Sequence, residues 1–195
     1  MNSNSSVESI ISNNLREDFF IKLYFDTDSG YYNAGIKRAF LDFSRTLKIK
    51  DNNRAQLRKG AEEYICANLN KATQIEFRTQ AEFDVFHKMN CEELINIWDE
   101  LTFGQAQKWI NMTLKYWLLF GDKRIKGIDK NARFFHIPID SFVQKGMFNE
   151  KRPDAWSKID NYQTYFNYQE LHRNKKTGNY PLVDEFIFFN SYRRL

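Results

Sequence analysis

Cysteine, histidine and long apolar runs are what this sequence has least of, and each scarcity closes off a class of protein. Its 2 cysteines, Cys66 and Cys91, form no CxxC pair and have no histidine at metal-ligand spacing. That argues against a disulfide scaffold and a zinc site, and both thiols are expected to stay reduced. The 3 histidines complete no Ser–His or Cys–His triad, and no glycine-rich segment reads as a phosphate loop. No metal and no cofactor is therefore expected. The longest apolar run, Trp117 to Phe120, is far too short to span a membrane. The opening "MNSNSSVESIISNN" lacks the basic-then-apolar order of a secretory signal, so a cytoplasmic location is expected, with no membrane partner.

What is present fits a globular domain. Charged residues make up 28% and hydrophobic residues 42% of the 195-residue chain, enough for one domain, or two lobes of one, around a substantial core. Aromatic content is high at 16%, with 18 Phe and 10 Tyr. Such side chains fill cores first, but they also stack on nucleobases. The net charge of +4 is mild and compatible with nucleic acid. Basic residues cluster: Lys123, Arg124, Lys126, Lys130 and Arg133 share one short stretch, and Arg193 and Arg194 close the chain. A solvated loop is the commonest meaning of such a run; phosphate contact is the functional one.

Along the chain the periodicity is helical throughout. Residues 1–15, rich in Ser and Asn, read as a flexible tail or a weak first helix and 16–195 as one helical domain. Asp26 to Gly35 reads as a loop. Ile36, Phe40, Phe43 and Leu47 then make one apolar helical face, and Leu94, Ile95, Trp98 and Leu101 another. A turn at "TFG" leads into a helix from Gln105 to Phe120, followed by a basic loop to Phe135. "HIPID" precedes a short helix from Ser141. A longer helix is expected from about Asp154, read as its N-cap, to Arg173, and a last one over Leu182–Tyr192. No strand signal competes, so the fold class is all-α.

Chemistry points to the segment "FGQAQKWINM". Trp109, Tyr116, Trp117 and Phe120 mark the buried side of its helix, while Lys108, Asn111 and Lys115 lie together on another face. Lys108 reads as a first-turn residue, where the helix dipole disfavours a cation by roughly 0.3–1 kcal/mol. An amine placed so is a candidate nucleophile, although first-turn lysines on surfaces are common.

"LTFGQAQKWINM" resembles the hairpin and following helix of the helix-hairpin-helix DNA glycosylases, in the 8-oxoguanine branch. Gly104, Ala106 and Lys108 match that branch's glycine, small residue and Schiff-base lysine. "HIPID" matches its apolar-Pro-apolar-Asp segment, with Pro138 and Asp140 aligned, and the lysine–aspartate separation is similar to that of the archaeal GO glycosylases. The resemblance runs over roughly residues 94–192. It implies a helical bundle of two lobes with a cleft between them, the hairpin and nucleophile near 91–120 and the aspartate segment near 134–146. It also implies a bifunctional glycosylase/AP lyase, a monomer without cofactor, acting on double-stranded DNA with a damaged or modified base such as 8-oxoguanine.

Lys108 would be the nucleophile and Asp140 the second catalytic residue. Met112, Asp184, Phe188 and His136 would line the base pocket, and Gly104, Gln105, Lys123, Arg124 and Lys126 would contact DNA. The hairpin departs from the family's Leu-Pro-Gly-Val-Gly: "TFGQA" lacks the second glycine, which puts phosphate or cation binding there in doubt. Three alternatives stay open: another target base, for example in phage DNA; a non-catalytic DNA binder of the same fold; and a helical interaction protein in which the motif is chance. Lys115 is the alternative nucleophile.

Overall fold

The computed structural model describes residues 11–48 and 53–192, and these are all-helical. In chain order they form α1 (Asn13–Tyr24), α2 (Tyr31–Phe43), α3 (Arg54–Leu69), α4 (Lys71–Gln74), α5 (Gln80–Ile97), α6 (Phe103–Phe120), α7 (Ser141–Gly146), α8 (Tyr162–Asn174) and α9 (Pro181–Ser191). Short 3₁₀ turns cover Ser44–Thr46, Ile128–Phe134 and Trp156–Lys158. No described helix is long and apolar enough to cross a membrane.

The core is organised around α6. Thr102 starts it with a capping box: its hydroxyl accepts from the Gln105 N–H at 3.1 Å, and the Gln105 side chain accepts from the Thr102 N–H at 3.0 Å. Only Phe103, Lys115, Leu118 and Leu119 of α6 escape burial. Two tryptophans pin this helix to α2. The Trp109 and Trp117 indole N–H groups donate to the carbonyls of Ile36 (3.1 Å) and Tyr32 (3.0 Å). Phe40 and Phe43 pack against Trp109 at ring separations of 5.1 and 5.3 Å. Buried aromatic rings with their polar edge satisfied are among the larger contributors to a core.

Three boundaries differ from the sequence reading, each for a local reason. The loop after α1 ends at Gly30, whose φ of 87° turns the chain, so α2 begins at Tyr31. Tyr31 and Tyr32 thereby reach Phe120 and Trp117. The long helix expected from Asp154 begins only at Tyr162, capped by Asn161 (Thr164 N–H to Asn161 Oδ1, 2.9 Å). The segment before it is drawn onto the start of α6. Gly104 N–H donates to the Ile159 carbonyl at 3.0 Å, and the Thr102 hydroxyl donates to the Ser157 carbonyl at 2.9 Å. The third difference is where α1 starts: it reaches back to Asn13, into the segment 1–15 read as a flexible tail or a weak first helix. Ser12 caps it, and Arg124 ties it down through ion pairs to Glu17 and Asp18. The rest of that tail, residues 1–10, lies outside the described residues, as do Arg193 and Arg194.

Gly104 is the contact point of this closure. A Cβ there would sit 1.8 Å from the Trp156 carbonyl oxygen, whereas one at Gly60 in α3 would meet nothing nearer than 3.7 Å. Gly104→Ala is expected to lower stability by about 2–3 kcal/mol through overpacking. Gly60→Ala should be neutral or stabilising by up to about 1 kcal/mol. Urea unfolding midpoints of the two variants check this pair of expectations.

Candidate functional site

The start of α6 fixes where its lysine points. Because the capping box begins the helix at Phe103, Lys108 is its sixth residue and stands in the second turn, past the reach of the helix dipole. The sequence reading of a first-turn lysine is corrected accordingly. What is unusual about Lys108 is burial: it is 5% exposed. Lysine is almost never buried without a partner, and here Nζ lies 2.7 Å from Asp140 Oδ2.

Asp140 is held from both sides. Its other oxygen, Oδ1, accepts the Val143 N–H at 2.9 Å, making it the N-cap of α7, as the sequence suggested. The extended segment ahead of it is gripped by two glutamine side chains. Gln107 Nε2 donates to the Ile139 carbonyl (2.8 Å), and its Oε1 accepts the Ile139 N–H (3.2 Å). Gln169 does the same to Ile137, at 2.8 and 3.1 Å. The two amides substitute for a neighbouring β-strand on alternate residues, so a strand-like segment is satisfied inside a helical protein. Burial alone would raise the Asp140 carboxyl, but the Lys108 charge and hydrogen bond, the Val143 N–H and the Lys115 charge hold it below the usual carboxylate range.

Behind the pair runs a buried polar network. Asn111 donates to Gln107 Oε1 (3.1 Å) and to the Tyr165 hydroxyl (2.9 Å), and its Oδ1 lies 2.9 Å from His87 Nε2. Tyr165 meets His136 Nδ1 at 2.8 Å, and His136 Nε2 meets Asp84 at 2.7 Å. Asp84 closes the chain on Arg173. His87 is fully buried and pushed well down by desolvation and then by His136. His136 is pushed down by desolvation despite Asp84.

A second pair, half-buried at its lysine and buried at its carboxylate, adjoins the first. Lys115 stands seven residues after Lys108 on the same side of α6, and its Nζ contacts Glu185 Oε1 at 2.5 Å. Glu185 is 4% exposed, and its Oε2 has no hydrogen-bond partner. Phe186 and Phe189 flank the Lys115 ammonium at 5.2 and 5.7 Å.

Several residues picked from the sequence are committed elsewhere. Met112, largely buried, does share the Lys108 side of α6 one turn on. Asp184 spends both oxygens on Thr177, Asn179 and His172. Phe188 packs on Phe142 and sets the tip of its ring against Gly146, where a Cβ would be 2.0 Å from Cζ. His136 has both ring nitrogens engaged inside the core. The backbone donors of Gly104 and Gln105 are used by Ile159 and Thr102, which leaves the start of α6 no amide pair for a phosphate. Arg124 is neutralised by Glu17 and Asp18, while Lys123 and Lys126 remain exposed.

Glu185, Gln107 and Gln169 were not picked out from the sequence. Glu185 shares the inner face of α9 with Leu182, three residues earlier, while Asp184 is turned about 100° away; that register was the available signal. Compared with protein-family models, curated proteins and solved structures, the chain finds no match.

The network carries a pH signature. A histidine whose folded pKa is depressed contributes full stability above its unfolded value, near 6.5, and loses it as pH falls below that. Wild-type unfolding midpoints should therefore begin to fall near pH 6.5, by at most about 1.4 kcal/mol per pH unit for each histidine. A second loss should set in below about pH 4, the unfolded aspartate value, as Asp84 and Asp140 protonate. His87→Gln should flatten the first phase and leave the second, in urea titrations run from pH 7.5 to 3.

Proposed function

We propose that the Lys108–Asp140 pair is the catalytic centre of a DNA glycosylase with AP-lyase activity, acting on an oxidised purine such as 8-oxoguanine in duplex DNA. The observation that carries this reading is a buried lysine 2.7 Å from a carboxylate that a helix cap and a glutamine clamp hold in place. The two residues come from elements 32 positions apart, in the order and spacing of the glycosylase resemblance. The reading takes the bundle as helix-hairpin-helix-like, with two lobes and the pair in the cleft between them.

The base must first leave the stack, at a cost of a few kcal/mol. Lys108 then attacks C1′. The C1′–N bond breaks with its electron pair going to the base, and the proton released by the amine goes to that departing base. Ionised Asp140 stabilises the positive charge that develops on the sugar. Ring opening gives the Schiff base, and removal of a C2′ proton expels the 3′ phosphate and cuts the strand.

The base-reading group in this account is Glu185 in place of Asp184. Its unpartnered Oε2 is a buried acceptor for a purine N–H. Met112 borders the pair, and Phe186 and Phe189 flank Lys115. One observation favours a second reading, a DNA-binding protein of this fold that does not cut: the hairpin amides are consumed within the chain.

Base release and strand cleavage on oligonucleotides carrying single lesions separate the readings. Lys108→Gln should abolish cleavage, and Asp140→Asn should slow it by about 10²–10³. Lys115→Gln should retain measurable cleavage with weakened base preference. Tight binding with no base released from any lesion would favour the non-cutting protein, and cleavage lost only in Lys115→Gln would move the nucleophile.

A further inference from the structure

The last loop of the chain closes a recess of about 230 Å³ between the end of α8 and the start of α9. Arg133, His172, Arg173 and Lys176 line it, together with Gln80 and residues 177–181, and no carboxylate is among the lining residues. The neighbouring acids are already engaged: Asp84 by Arg173 and His136, Asp184 by His172, Thr177 and Asn179. Arg133 and Lys176 are exposed, and neither has a carboxylate partner among the described residues. Two positive charges therefore face the recess without compensation.

One further feature has the same sign. α9 opens here with Pro181 at its first turn and no side-chain cap on its leading N–H groups, and the start of a helix attracts anions. The volume holds a phosphate group and several waters, each water taking about 30 Å³.

We propose that this recess binds a phosphate group, with Arg133 and Lys176 as the charge partners and the start of α9 beneath it. The phosphate can belong to a nucleic-acid backbone or to a small phosphate-bearing molecule. Nothing in the assignment depends on the lysine chemistry above, and the test uses no lesion and no cleavage.

The full-length protein, nitrogen-labelled for NMR, is titrated with inorganic phosphate at matched ionic strength and, separately, with an undamaged DNA duplex. Wild type and the Arg133→Ala/Lys176→Ala double variant are compared after circular dichroism has confirmed that both are folded. Saturable amide shifts over residues 172–182 with phosphate, lost in the double variant, are expected. If the duplex moves the same amides and the variant's log–log salt slope falls by about 1–2, the phosphate is that of nucleic acid. If phosphate moves them and the duplex does not, the site serves a small phosphate-bearing molecule. Absence of saturable shifts with either probe, or shifts that persist unchanged in the double variant, overturns the site.

Discussion

A lysine buried to 5% exposure in the middle of a protein must have its counter-charge held still, and that requirement organises the centre of this fold. Breaking a buried ion pair costs about 3–5 kcal/mol because the abandoned charge stays in place. The chain therefore anchors Asp140 redundantly. One carboxylate oxygen caps α7, the other meets Lys108, and the backbone just before it is clamped by Gln107 from the residue next to that lysine. Lys108 and the Gln107 clamp are neighbours on one helix, so any shift of α6 moves both together.

The clamp has its own support. Asn111, one turn along α6 from Gln107, joins it to Tyr165 and His87, and Tyr165 joins it to His136 and Asp84. Polar groups this deep are costly unless every partner is present. These are nearly all present, which makes the site rigid and explains why polar residues occupy the inside of a helix otherwise packed with tryptophan. Rigidity of this kind is what a reaction needs when the acceptor of developing charge must already be in position.

Much of this was legible in the sequence, and the rest was hidden for identifiable reasons. The all-α class followed from apolar spacing, and the association of Lys108 with Asp140 followed from the two motifs together. Asp140 as a cap followed from its place before Ser141. The inward-facing acid of α9 was less accessible, because Asp184 and Glu185 are adjacent and a one-residue difference in helical register decides which faces inward. Phe188 was attractive as an aromatic one turn after Asp184, yet Gly146 leaves room on α7 for the tip of its ring. Arg124 looked like a phosphate ligand within a basic run, and only the docking of α1 shows its charge spent on Glu17 and Asp18. The start of α8 was misplaced because Asp154 looks like a cap locally, whereas bonds to Thr102 and Gly104 hold the following segment out of helix.

The central claim is that Lys108 becomes covalently joined to a sugar carbon. Borohydride reduction of the protein mixed with a duplex containing a single 8-oxoguanine, followed by digestion and peptide mass mapping, addresses it directly. The account predicts a reduced sugar adduct on the peptide carrying Lys108, at Nζ of that residue. An adduct mapped to Lys115, or no adduct under conditions where the protein releases the base, would contradict it.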